Sequence, residues 1–288
     1  MAAFTTTTSL AELIPEITEN VAYIFQNEGI GRSLVSYRDV SNVPGVTVEF
    51  PIYTEVTAST SVSETATPSS HEMDISMASL TIAKRSVYVG LGDLTKKAMT
   101  DSPSTIGVAM GMSMVKAIDA SIFNVISTTN YATSAGATNA ALTITHVLAG
   151  INVLELNEVD MPLHCVVHPY QYKSIRSALT PIANDDGVAV GVADEMTRNG
   201  MVSRAFGVNW FVTNRVSSRT VDATSNCYSG LIFNPRGIGY AFSWLYENGI
   251  ESIRNDAAVT ELLLNWADSA GVIYASGVCT LYSTSTGV

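Results

Sequence analysis

The sequence predicts an α+β fold in which a long strand feeds a long helix, and three observations carry that prediction. From Leu80 to Leu91, residues of like kind recur two apart, as in Leu80, Ile82 and again Val87, Val89 and Leu91, which is the period of a strand. Asp101-Ser102-Pro103 then supplies a helix start: a short polar cap, and a proline whose missing N–H is harmless in the first turn. Beyond it Val108, Met112, Val115, Ile118, Ile122 and Val125 recur at steps of three and four, while Lys116, Asp119 and Asn124 are expected on other faces. A helix from Ser104 to Ser127 would run roughly 36 Å at about 1.5 Å per residue, long enough for other segments to pack along it.

Taken in order, residues 1–45 read as an arm. Thr5 to Ser9 is a low-complexity start, Leu10 to Ile17 an apolar turn broken at Pro15, and Glu19 to Gly29 a helix with Val21, Ile24 and Phe25 on one face. Val46 to Val56 alternates as a strand in which Pro51 marks an edge or a bulge. The polar connection from Thr57 to Asp74 makes this strand and the next a long hairpin, which must lie on something to be stable in water. A second helix is expected over Ile144 to Glu158, with Val147, Ile151 and Leu154 on one side. Leu163 to Val167, Tyr170 to Leu179, Phe211 to Thr213 and Leu231 to Phe233 alternate strand and helix, predicting a small α/β lobe over residues 161–243. The segment from Ile250 to Tyr282 reads as strands returning to the long helix.

Composition narrows the function. Of 288 residues, 47% are hydrophobic and 14% charged, against a usual charged share of about 25%. So charge-poor a surface points to coverage by other subunits, with a Ser/Thr-coated soluble enzyme as the alternative. A net charge of -11 excludes a reader of nucleic acid with a basic stripe, though not a wall that encloses nucleic acid while barely touching it. Cys165, Cys227 and Cys279, each inside an apolar run, read as buried free thiols in a reducing compartment. The opening Met1-Ala2-Ala3-Phe4 with its four threonines lacks a signal peptide's basic start and apolar core, so a cytoplasmic protein is expected. Residues 120–145 carry no formal charge but are too rich in Ser, Thr and Asn to span a bilayer, and no membrane partner is expected.

No catalytic, cofactor-binding or metal-ligating residue is assigned. On a strand His164 and His168 share a face while Cys165 points away, and no second Cys/His cluster exists to complete a metal site. Cysteines in apolar runs are poor nucleophiles, because burial disfavours the thiolate. Gly-x-Ser-x-Gly, His-Glu-x-x-His and a phosphate loop are all absent. Gly29-Ile30-Gly31 and Gly237-Ile238-Gly239 read as turns. Asp185-Asp186 with Asp194-Glu195 reads as a solvated loop before a helix, in preference to a cation site. Asp256 and Glu261 near Arg254 read as a surface ion pair.

The order of these parts resembles the tailed-bacteriophage major capsid proteins with the HK97 fold. Val46 to Tyr53 and Leu80 to Val89 correspond to the two limbs of the E-loop hairpin, Leu91 to Pro103 leads into the spine helix, and Val166 to Tyr172 resembles the strand-Pro-helix entry to the axial lobe. The resemblance implies an N-terminal arm at 1–45, an E-loop hairpin at 46–92, a peripheral domain with the spine helix at 93–160, an axial domain at 161–243 and return strands of the peripheral domain at 244–288. It also implies a non-enzymatic subunit of the virion capsid, assembled in the host cytoplasm into pentamers and hexamers of an icosahedral shell around loosely enclosed double-stranded DNA. A portal is an implied partner, and decoration proteins are allowed. The lack of a long charged N-terminal segment implies a separate scaffolding protein or none, and the Lys, Asn and Glu used by crosslinking members are not placed. Encapsulin compartments share the fold, so an encapsulin-type shell stands as the first alternative and an α/β enzyme as the second.

Overall fold

In a computed structural model of the chain, which describes residues 18–24, 29–41, 43–53, 56, 73–92, 104–125, 134–137, 140–178, 204–222, 225–254 and 259–284, the expected long helix is Ser104–Phe123 (α1). Met110, Met114, Val115, Ile118, Ile122 and Phe123 are all buried, so the apolar stripe is wider than the sequence spacing implies. The cause is that α1 is covered from more than one side. Val21 and Ile24, in the helical residues 18–24, share its core cluster with Leu262, Leu264 and Trp266 of a sheet and with Val166, Leu231 and Phe233 of the α/β lobe. Thr105–Phe123 is long and apolar enough to cross a membrane, but half of that stretch is buried inside the protein.

Two sheets pack against this helix, and a hairpin packs on one of them. Strands β1 (Ser36–Asp39), β4 (Ala83–Gly92), β11 (Ile238–Arg254) and β12 (Val259–Val272) form a four-stranded sheet in the order β1-β11-β12-β4, with β1 parallel to β11 and the other pairs antiparallel. Its inward side chains, Leu262, Leu264 and Trp266, alternate along β12 as the strand period requires. Deep in this sheet Asp268 forms an ion pair with Arg85, Nε to Oδ1 2.9 Å, and burial holds the Asp268 carboxyl above its ordinary range against the opposing pull of Arg85.

The seven-stranded sheet runs β5 (Ser134–Gly136), β13 (Val278–Thr284), β10 (Ser225–Phe233), β6 (Leu163–Val167), β8 (Val208–Val212) and β7 (Arg204–Ala205), with β9 (Ser218–Asp222) paired to the start of β10. The expected strand-helix-strand unit is present: β6 and β8 are parallel, in register from Leu163 opposite Val208 to Val167 opposite Val212, and α3 (Pro169–Ala178) follows β6. Leu163, Cys165 and Val167 face one way and cluster with Tyr172 and Ile175 of α3 and with Val147, Ile151 and Leu154 of α2 (Ile144–Leu156). Thr143 caps α2, its side chain accepting from the His146 N–H while His146 Nδ1 accepts from the Thr143 N–H.

Three expectations need correction. The second hairpin limb is not the stretch from Leu80 to Val89: β2 (Thr47–Tyr53) pairs with β3 (Ile75–Thr81), and the chain leaves the hairpin at Ile82, whose side chain is buried at the hairpin base. Ala83–Gly92 instead pairs along its whole length with β12. The final strand does not return to the long helix's sheet; Val278–Thr284 pairs with β10 and β5, because Cys279 and Leu281 complete the lobe's core. Helix α2, expected beside the spine, packs into that same core. Leu10 to Ile17, Phe25 and most of the polar tip expected from Thr57 to Asp74 lie outside the described residues.

Ile118 is buried and Lys116 exposed on the same helix. Ile118→Asp should therefore bury an unpaired carboxylate and cost on the order of 4 kcal/mol, leaving insoluble or unfolded protein, whereas Lys116→Asp should fold. Equal soluble yields of the two variants would contradict this placement of the helix.

Candidate assembly surface

The hairpin has an apolar inner face that packs within the subunit and, on the outer half of its other face, an apolar strip that is exposed. On the inner face Val48, Phe50 and Leu80 cluster with Ala241 and Ala267 of the four-stranded sheet. The approach is close: a Cβ at Gly271 would lie 2.1 Å from Leu80 Cδ2, so glycine is needed on β12 for the hairpin base to seat. Arg38 of β1 fastens the base from the side, donating to the Glu49 carbonyl while its guanidinium lies 5.3 Å from the Phe50 ring. On the outer face the register sets Pro51 opposite Met77 and Tyr53 opposite Ile75. Tyr53, Ile75 and Met77 are 61%, 46% and 56% exposed. A contiguous apolar strip at the outer half of a two-stranded ribbon is what a contact surface looks like before its partner arrives.

A second constellation fixes how the arm and the lobe meet α1. Asp119, expected on a polar face, is 1% exposed. Its carboxylate accepts from the backbone N–H of Gly31 at 2.9 Å and of Ile30 at 3.4 Å, and it pairs with the Arg215 guanidinium in the segment after β8. One helical turn on, Asn124 accepts from the Ser217 N–H at 2.8 Å and donates to the Arg215 carbonyl at 3.3 Å. Helical spacing held a signal for this, since Asp119 lies four residues after Val115 and three before Ile122, within the stripe rather than opposite it.

The residues weighed for chemistry do not converge. His164 packs edge-on against Phe211 and Phe233, and burial lowers its pKa. Cys165 faces the opposite core, where burial first, and the nearby Cys279 second, push its thiol above the ordinary range; burial pushes Cys279 up to about 11. Such thiols are not poised nucleophiles. His168 stacks on Tyr228 with ring centroids 3.7 Å apart, and Gln171 bridges the Tyr228 and Leu281 carbonyls at 3.2 and 3.0 Å while accepting from the His168 N–H. The strand-Pro-helix entry is thus a structural tie between α3 and two strands. Among the described residues no three His, Cys, Asp or Glu side chains come together as a metal site. Asp185, Asp186, Asp194, Glu195 and Asp256 lie outside the described residues.

A projecting hairpin, a long helix laid on a four-stranded sheet and a separate α/β lobe define the HK97-like capsid fold. Residues 94–277 match the family described as phage capsid protein, and the chain belongs to that family. A structure from Mycobacterium phage Che8 superposes with a TM-score of 0.67 at 15% identity, over 88% of this chain and 90% of that one. The capsid of cyanophage P-SCSP1u gives 0.65 at 17% identity, over 88% of each chain. A virus-like particle from Pyrococcus furiosus gives 0.59 at 10% identity, over 93% of this chain and 98% of that one. The search of curated proteins returned no match. As a phage capsid protein the chain is a structural component of the virion shell.

Breaking the Asp119 constellation should be costly. Asp119→Ala leaves the Arg215 cation and two backbone donors without their acceptor and should lower the unfolding free energy by about 3–5 kcal/mol. In urea titrations the Asp119→Ala/Arg215→Ala double variant should lose less than the two single losses combined; strict additivity would show that the pair is not coupled.

Proposed function

We propose that copies of this chain assemble into the pentamers and hexamers of an icosahedral shell that encloses double-stranded DNA, and that the outer face of the hairpin is laid on a neighbouring subunit. The observation that carries the reading is the strip of Pro51, Tyr53, Ile75 and Met77, apolar and exposed. A monomer gains nothing from it, whereas closed symmetry repeats such a contact around every ring. In this reading the E-loop is the β2–β3 hairpin, the peripheral domain is the four-stranded sheet with α1, and the axial domain is the seven-stranded sheet with α2 and α3. The subunit performs no catalysis. The acidic balance of -11 keeps packaged DNA loosely held, since few phosphates are neutralised by the wall. A portal, a separate scaffolding protein and assembly in the host cytoplasm complete the proposal, with decoration proteins as further partners.

A second reading, an encapsulin-type compartment without a genome, draws on the fold shared with the Pyrococcus furiosus virus-like particle over nearly all of both chains. Nuclease-resistant DNA inside particles purified from infected cells supports the first reading; particles filled with protein cargo support the second.

The hairpin contact has its own test. Replacing Ile75 and Met77 with serine should change subunit stability by no more than about 0.5 kcal/mol, because both side chains are exposed. Circular dichroism should be unchanged while sedimentation shows the loss of closed particles. Normal shells from this variant would remove the hairpin from the assembly mechanism.

A further inference from the structure

Both helices of the α/β lobe begin on a histidine whose neutral ring accepts a backbone N–H. At α3 the His168 carbonyl accepts from the Tyr172 N–H at 3.0 Å, opening the helix, and Pro169 takes its first position. His168 Nδ1 accepts from the Tyr170 N–H at 3.2 Å, and Gln171 Oε1 accepts in return from the His168 N–H at 3.1 Å. This is a capping box with histidine where Ser, Thr, Asp or Asn is usual. At α2 the places are exchanged. Thr143 is the cap, and His146 supplies the acceptor for the Thr143 N–H in the place that Glu or Gln ordinarily holds.

Protonation removes both acceptors, because an imidazolium ring donates at each nitrogen and accepts at neither. It also sets a positive charge at a helix N-terminus, where the macrodipole opposes it. His168 has little room to adapt: its ring is buried and stacked on Tyr228, centroids 3.7 Å apart and planes 6° from parallel, with the Tyr170 ring 5.3 Å away. Among the described residues no carboxylate forms an ion pair with it. Helix α3 adds the bases Lys173 and Arg176, and Arg215, in the segment that Thr213 ties to Val167, is already paired with Asp119. On β9, Asp222 stands opposite Ser225, three residues before Tyr228. His164 of β6 packs edge-on against Phe211 and Phe233. Around His146, the strands β5 and β13 that share the core of α2 carry no charged residue, and Glu155 lies at the far end of that helix.

We infer that His146 and His168 make the α/β lobe an acid-sensitive element: mild acidification uncaps both of its helices and loosens the lobe, while α1 and the four-stranded sheet, which hold no histidine, stay closed. Burial lowers the pKa of His168. Its cap therefore contributes fully above the ordinary histidine value of about 6.5 and loses that contribution as the pH falls through the lower folded value. Asp268 in the four-stranded sheet works the other way, since a carboxyl held above its ordinary range in the folded protein adds stability as the pH falls. The device belongs to the subunit and does not depend on a shell.

Hydrogen exchange of the purified subunit at about pH 7.5 and about pH 5.5, corrected for the intrinsic pH dependence of exchange, tests this. In acid the first turns of α2 and α3 should open about fivefold more often, the usual worth of a cap, with α1 unchanged. His168→Asn and His146→Gln keep an acceptor that does not titrate, so each should abolish the acid loss at its own helix and leave the loss at the other. Nitrogen NMR of the wild-type rings gives a reading that needs no variant: at the higher pH both should be the Nε2–H tautomer, leaving Nδ1 to accept. Equal protection of both helices at the two pH values, an Nδ1–H tautomer at His168, or a His168→Asn subunit that keeps the full acid loss at α3 overturns the inference.

Discussion

A single carboxylate sets how arm, spine and lobe meet. Asp119 lies in the apolar stripe of α1, where an unpaired charge would be untenable, and three other parts of the chain satisfy it: the Ile30 and Gly31 amides of the arm and the Arg215 side chain beyond β8. Removing an ion from water is costly, so Asp119 is tolerated in the stripe only with those partners in place. Hydrophobic burial along α1 supplies most of the stabilisation, but burial is non-directional. Asp119 fixes which turn of the arm and which loop of the lobe meet which turn of the helix, and Asn124 repeats the fastening one turn on.

From that joint the rest of the architecture follows. With the spine fixed against the four-stranded sheet, β12 presents Leu262, Leu264 and Trp266 inward and pairs with β4 on one side and β11 on the other. The hairpin then leaves the sheet at Ile82 and is seated by Leu80 over Gly271. Its inner face is spent on its own subunit, while Tyr53, Ile75 and Met77 on its outer face are exposed. A protein with 14% charged residues has little to keep such a strip in solution.

Much of this was legible in the sequence because two periods dominate it. The period of 3.6 located α1 and alternation located β2, while β6 and β12 were found as apolar runs. What was misread has physical causes. Leu80 and Ile82 alternate in one phase and Val87 and Val89 in the other, and the stretch was read as one limb although it serves two sheets, because alternation alone does not name the pairing partner. The destination of Val278–Thr284 depends on a non-local pairing with β10 that no local pattern encodes. Asp119 was placed by its charge rather than by its spacing, which sets it inside the stripe. That Cys165 faces away from His164 was readable from strand geometry, whereas the ring stack of His168 on Tyr228, sixty residues away in sequence, was not.

The central claim is that the free face of the hairpin belongs to a neighbour, and electron cryomicroscopy of particles assembled from the full chain tests it most directly. The account predicts closed icosahedral particles in which the side chains of Tyr53, Ile75 and Met77 are buried against an adjacent subunit. Closed particles in which those three side chains face solvent at every subunit, or a chain that remains monomeric under all assembly conditions, would contradict it.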